Sequence, residues 1–133
     1  MFRHSIVCFA VGLLAASQNA LAAGADCSNA TDQASMTACA DKALKASDAQ
    51  LNKTYRALLA KSSAAGKQKL QAAERAWIAY RDAQCTFNTL GSAGGSVHAL
   101  AYASCATGLT DAQNEVLNAQ LHCEEGDTAC GSQ

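Results

Sequence analysis

The chain has no proline, only one tryptophan, three tyrosines and three phenylalanines, and no excess of either charge, with ten basic and eleven acidic side chains for a net charge of −1. Without proline, no position is forced to break a helix by losing its N–H. Strict apolar–polar alternation of the kind a half-buried strand needs is also missing, as are internal repeats. A near-neutral balance with interspersed charges argues against nucleic acid as the main partner. Ser-x-x-Lys, Gly-x-Ser-x-Gly and His-Glu-x-x-His do not occur, and neither does Cys-x-x-Cys, so no familiar hydrolase, zinc, thioredoxin-like or haem-attachment chemistry is indicated. Glu74 and Asp82 are eight residues apart, about 12 Å along a helix, which is wider than the usual glycosidase pair. His122-Cys123 has metal-ligating types, but a disulfide accounts better for that cysteine. We therefore expect no catalytic residue, no metal and no cofactor.

What is present begins with Arg3 and His4, an apolar run from Ser5 to Ala16, and the small-x-small site Ala20-Leu21-Ala22. This is the pattern of a secretory signal peptide, and Gln18-Asn19 cut the run short of the roughly 20 residues a membrane span requires. No cysteine directly follows the small-residue site, so lipidation is not expected. Residues 1–22 are read as a removed leader and the mature chain as soluble from near Ala23, periplasmic or secreted, with no membrane insertion. Loss of the leader removes Cys8 and leaves an even set, Cys27, Cys39, Cys85, Cys105, Cys123 and Cys130. In an oxidising compartment such a set reads as three disulfides, although spacing alone does not fix their connectivity.

The remaining chain, about 110 residues, holds one core. It is organised around Ala72–Cys85, which carries the lone Trp77. Leu70, Ala73, Trp77, Tyr80, Ala83 and Phe87 recur at steps of three and four, a stripe on the helical period with Trp77 at its packing centre, and Glu74, Arg75, Arg81 and Asp82 fall outside it. A first helix is predicted over Asp32–Ser62, capped by Thr31 or Asn29. Its buried stripe would be Met36, Cys39, Ala40, Ala43, Ser47, Leu51, Tyr55 and Leu58, with Asp41, Lys45, Asp48, Lys53 and Lys61 mostly in water. Gly66 is expected to end that helix in a left-handed conformation, and a second, antiparallel neighbour to run over Lys67–Asn88. The glycine-rich segment 89–96 reads as a flexible loop. A third helix follows over Val97–Leu121, capped by Ser96 and striped by Val97, Ala101, Cys105, Leu109, Ala112, Val116 and Ala119. The fold class is all-α, a small three-helix antiparallel bundle braced by disulfides, with a disulfide-closed tail over 122–133. Cys39 and Cys85 lie at similar heights counted from the turn near Ser63. They are the first pairing expected, leaving Cys27 with Cys105 and Cys123 with Cys130.

The order and spacing of Cys27, Met36 and Cys39, of Asp48-x-x-Leu51-Asn52-x-x-Tyr55, of Arg75-Ala-Trp77-Ile-x-Tyr80-Arg81-Asp82-x-x-Cys85, and of Gly94-Gly95-Ser96 and Cys105 resemble the LprI-type lysozyme-inhibitor family. The likeness runs to about Leu121. It departs at Glu74, where Gln is common, at Ala106, where Leu is common, and at Gln113, where Arg is frequent. The resemblance implies an exported helical domain over 23–121 that is not an enzyme and whose protein partner is lysozyme. In that reading Asp48, Leu51, Asn52, Tyr55, Trp77, Tyr80 and Asp82 are framework. A lysozyme cleft is lined by carboxyl groups and admits a sugar chain, so a plug needs a narrow projection with donors. Gly94, Gly95, Ser96 and His98 offer one, with Arg75 and Arg81 as a second candidate surface. The alternative is a cell-envelope structural or interaction module of the same fold with no lysozyme target.

Overall fold

The computed structural model describes residues 27–124 and 126–131, so the leader expected over 1–22 and the start near Ala23 lie outside the described residues. Helix α1 runs from Gln33 to Lys61, and its cap is Asp32 rather than Thr31 or Asn29: the carboxylate accepts from the Ser35 N–H at 2.9 Å. Its last turn closes on Ser62, whose N–H reaches the carbonyls of Leu58 and Leu59 and whose hydroxyl donates to Leu58. Gly66 therefore does not end α1. The next residue, Ser63, already caps α2 (Ala64–Asn88) by accepting from the Gly66 N–H at 3.1 Å, so a glycine expected to stop one helix sits in the first turn of the next. A single 3₁₀ turn, Leu90–Ser92, leads to α3 (His98–Leu121).

Side-chain pairs fix the directions. Gln33 meets Ser96, Ser47 meets Asp111, Thr54 meets Asn114 and Lys61 meets the Leu121 carbonyl, so α1 and α3 run parallel. Helix α2 runs back between their ends, antiparallel to both, with Arg81 touching Asp48 of α1 and Thr110 of α3. The result is the three-helix bundle expected. However, α1 packs along α3 far more than along α2, because a two-residue connection sets direction without forcing close packing.

The apolar core is small: Leu51 and Leu58 from α1 and Leu117 from α3, with Tyr55, Leu70, Trp77 and Leu121 partly buried against them. Leu51 is buried in that core and Tyr55 partly buried against it. The stripe of α2 has the predicted period but the wrong phase. Its inward side carries Leu70, Glu74, Trp77, Arg81 and Cys85, whereas Tyr80 and Phe87 are 55% and 73% exposed. The physical reason is that Arg81 finds partners on both other helices, so a charged side chain is placed inside and the aromatics that outnumber it are left on the flank. Helix α3 is rotated for the same reason: it buries Ala103, Ala106, Thr110 and Leu117 and exposes Val97 and Val116.

The disulfides join Cys27 to Cys39, Cys85 to Cys105 and Cys123 to Cys130. The pairings expected for Cys39 with Cys85 and for Cys27 with Cys105 are thereby corrected. Equal height on two helices is not sufficient, because Cys85 lies on the inward side of α2 facing α3 and is fully buried there. Cys39 instead receives the segment that precedes α1. The tail folds back on α3, with Gln120 donating to the Ala129 carbonyl and accepting from the Gly131 N–H.

Leu58→Ala should cost about 3 kcal/mol in urea unfolding and Phe87→Ala under about 0.5 kcal/mol; equal costs would contradict the observed phase of the stripes. Replacing Cys85 and Cys105 together by Ser should cost about 3 kcal/mol, and replacing Cys123 and Cys130 about 2 kcal/mol, because the second pair closes a shorter loop.

Candidate functional site

The polar interior centres on Arg81. Its Nη1 donates to Asp48 at 2.9 Å and to the Thr110 hydroxyl at 3.2 Å, and its Nε donates to Asp82 at 3.0 Å. The guanidinium carbon also sits 5.2 Å from the Trp77 ring centroid, over its electron-rich face. Only 15% of the Arg81 side chain is exposed, against 41% and 49% for the two carboxylates, so the cation is enclosed and its anions face water. Burial opposes the charge, but hydrogen bonds and charges from Asp82 and Asp48 outweigh it and hold the guanidinium above its ordinary range. Burial and the Asp82 charge likewise raise the Tyr102 phenol. Asn52 donates to the Asp48 carbonyl one turn back, and Tyr80 stands out on the exposed flank.

Further towards the start of α2, on the same inward side, Glu74 has a buried carboxylate oxygen with no hydrogen-bond partner. Desolvation raises this carboxyl above its ordinary range, and hydrogen bonding from Gln113 and the Arg81 charge oppose the shift only in part. Two of the positions at which the sequence departs from its resemblance, 74 and 113, therefore meet across α2 and α3.

Past the C-terminal end of α2, segment 89–97 is threaded by its own hydrogen bonds. Ser92 N–H binds the Thr89 carbonyl, Gly95 N–H the Ser92 carbonyl and His98 N–H the Gly95 carbonyl. Gly94 adopts φ +76°, a conformation that disfavours any side chain. Ser96 does not cap α3. Val97 holds the capping position without a side-chain bond, and the Ser96 hydroxyl points across to the Gln33 side chain at 3.4 Å. His98 Nδ1 lies 3.2 Å from the Ser92 hydroxyl, and its ring is tilted against Tyr102. Ser96 and His98 share the wall of an open groove of about 1010 Å³ between the N-terminal halves of α1 and α3.

The sequence-predicted site residues thus divide. Gly94, Gly95, Ser96 and His98 come together at one end. Arg81 is committed to the interior, and Arg75 is exposed about 21 Å down α2 from Thr89. The groove, with Tyr102 and Asp41, escaped sequence reasoning. Its signal was the run of small residues Ala34, Ala38, Ala99 and Ala103 at four-residue spacing on two helices. Cys123, Asp127 and Cys130 bring donor atoms within 4.8 Å of one another, but both sulfurs are in a disulfide, which leaves one carboxylate for any metal.

These features define a class: an all-helical, disulfide-braced domain whose charged interior ties the helices together and whose one end presents an ordered glycine turn beside a groove. Among the described residues no helix is long and apolar enough to cross a membrane. The chain belongs to the lysozyme inhibitor LprI family, which matches residues 25–117. It is also similar to an uncharacterized protein of Rhizobium meliloti (strain 1021), with 37% identity over 98 residues that cover 64% of this chain and 70% of that protein. No solved structure matches the chain.

The Glu74 geometry gives a pH-dependent expectation. The folded protein holds this proton more tightly than the unfolded chain, so its contribution favours folding at acid pH and is lost as pH rises above the ordinary glutamate range. Glu74→Gln should therefore melt higher than the parent at pH 7, and the difference should shrink towards pH 4 in thermal scans. A difference that grows on acidification would show that Glu74 is stabilised as a carboxylate.

Proposed function

We propose that this protein is an exported lysozyme inhibitor that acts by protein–protein binding, presenting Gly94–His98 to the lysozyme cleft. Membership of the LprI family carries the reading. Three disulfides accord with an oxidising, extracytoplasmic location, and the leader pattern at residues 1–22 accords with export. The glycine turn supports the contact surface: it is exposed, bridged by its own hydrogen bonds, and free of side chains at Gly94 and Gly95, so backbone can approach a partner closely. The Ser96 hydroxyl supplies a donor, and the His98 ring, whose Nδ1 faces Ser92, a second polar group at Nε2, for the carboxyl groups that line a lysozyme cleft. Arg75 offers a separate exposed cation on α2. Arg81 serves the contact only indirectly, since its side chain is largely enclosed and its Nε and Nη1 donors are taken by Asp82, Asp48 and Thr110.

Replacing Ser96 and His98 together by Ala should weaken inhibition of a c-type lysozyme by roughly 2–4 kcal/mol, the value of two hydrogen bonds to charged groups. Stability should change by no more than about 0.5 kcal/mol, because Ser96 caps nothing. The assay is lysis of a bacterial cell-wall suspension by lysozyme with the oxidised mature protein added. If the parent leaves lysis unaffected, lysozyme is not its target and the envelope-module reading replaces this one. If parent and double variant inhibit equally, the contact lies elsewhere and the surface around Arg75 is next.

A further inference from the structure

The groove that Ser96 and His98 border is an unfilled length of a helix seat. On α1 it is walled by Ala34, Thr37, Asp41 and Leu44, and the same stripe continues at helical spacing to Asp48, where α1 meets Arg81 of α2. On α3 it is walled by Ala99 and Ala103, and that stripe continues through Ala106 to Thr110, which also meets Arg81. Lower in the bundle, then, the trough between these two stripes is occupied by α2. Helix α2 stops at Asn88, level with Cys105, to which Cys85 is bonded. Beyond that level α1 and α3 continue, and among the described residues nothing fills the trough.

We propose that this open end docks an amphipathic helix of a partner protein, about three turns long and antiparallel to α1 and α3, as α2 is. The length follows from the wall Gln33–Leu44, about 17 Å at 1.5 Å per residue. Small residues on both walls let a helix backbone come close, which selects a partner face of alanine and leucine. Charge selects the rest. Asp41 is the formally charged side chain of the lining, with Lys45 on its Oδ2 at 2.6 Å and no described partner on its Oδ1, and the deeper trough holds Asp48 and Asp82 against Arg81. A lysine or arginine on the docked helix therefore fits opposite Asp41. This inference does not depend on the partner being lysozyme.

The test uses the oxidised mature protein and a stapled 12-residue helical peptide with an Ala/Leu face and one Lys. Heteronuclear NMR titration should give saturable one-to-one binding, with shifts confined to residues 33–44 and 96–103. A peptide with Glu in place of Lys should bind roughly five-fold more weakly. Ala38→Trp and Ala99→Trp, both at exposed positions, should each weaken binding at least about ten-fold by filling the seat while circular dichroism stays unchanged. No saturable binding would overturn the proposal. So would shifts centred on Tyr80 and Phe87, which would mean that the peptide coats the apolar flank of α2, and so would either Trp variant, folded by circular dichroism, binding as well as the parent. A lysozyme titration run beside it separates the two readings: lysozyme binding that survives both Trp variants leaves the inhibitor function standing without the helix seat.

Discussion

The bundle depends on one guanidinium. Arg81 is the group through which α2 is fastened to both other helices, by Asp48 on α1 and Thr110 on α3, while Asp82 and the Trp77 ring hold it from its own helix. A planar cation with fixed donors can satisfy several acceptors at once, which an ammonium on a flexible stem does less well. Removing such a group would break the tie to both helices at once and take a donor from the buried Thr110 hydroxyl, while the two carboxylates, which face water, would be rehydrated. Trp77, read from the sequence as the packing centre, has a narrower role. It lies partly buried against the leucine core and gives the cation an apolar face to rest on.

The same attachment leaves the other end of the molecule free for contact. Helix α2 is held at Arg81 and again at Cys85 by its bond to Cys105, and it ends one turn later. Among the described residues, the α2 side beyond that point presents the glycine turn and the open trough, walled by α1 and α3. The Arg81 tie and the candidate contact residues are thus separate in space. Under the proposed function, internal hydrogen bonds in the turn would lower the ordering cost of binding.

Helix number, order and period were legible in the sequence because they rest on local signals: the absence of proline, apolar residues at steps of three and four, and serine, glycine and threonine between them. Phase was not legible. Counting apolar residues puts Tyr80 and Phe87 inside and Arg81 outside, and only knowledge that Asp48 and Thr110 stand at matching heights on two other helices reverses the choice. The pairings expected for Cys39 with Cys85 and for Cys27 with Cys105 failed on the same ground, whereas the short-range pair Cys123 and Cys130 was legible. Height along a helix can be counted from a turn, but the direction in which Cys85 points depends on phase. At the candidate site the glycines and Ser96 were visible as residues, whereas the groove arises because α2 ends where α1 and α3 do not, a comparison of three elements that no single window of sequence contains.

A charged interior needs stability from elsewhere, and the apolar core here is only Leu51, Leu58 and Leu117 with a few half-buried neighbours. Glu74 adds a buried, unpartnered oxygen to that cost. The disulfides supply the offset by restricting the unfolded chain, each closing a short loop: ahead of α1, at the end of α2, and in the tail beyond α3. Disulfide formation, which an oxidising compartment permits, thus supports the fold as well as the proposed function. On reduction the same sequence would keep the desolvation cost of Glu74 and Arg81 and lose the constraint that offsets it, so its stability should fall.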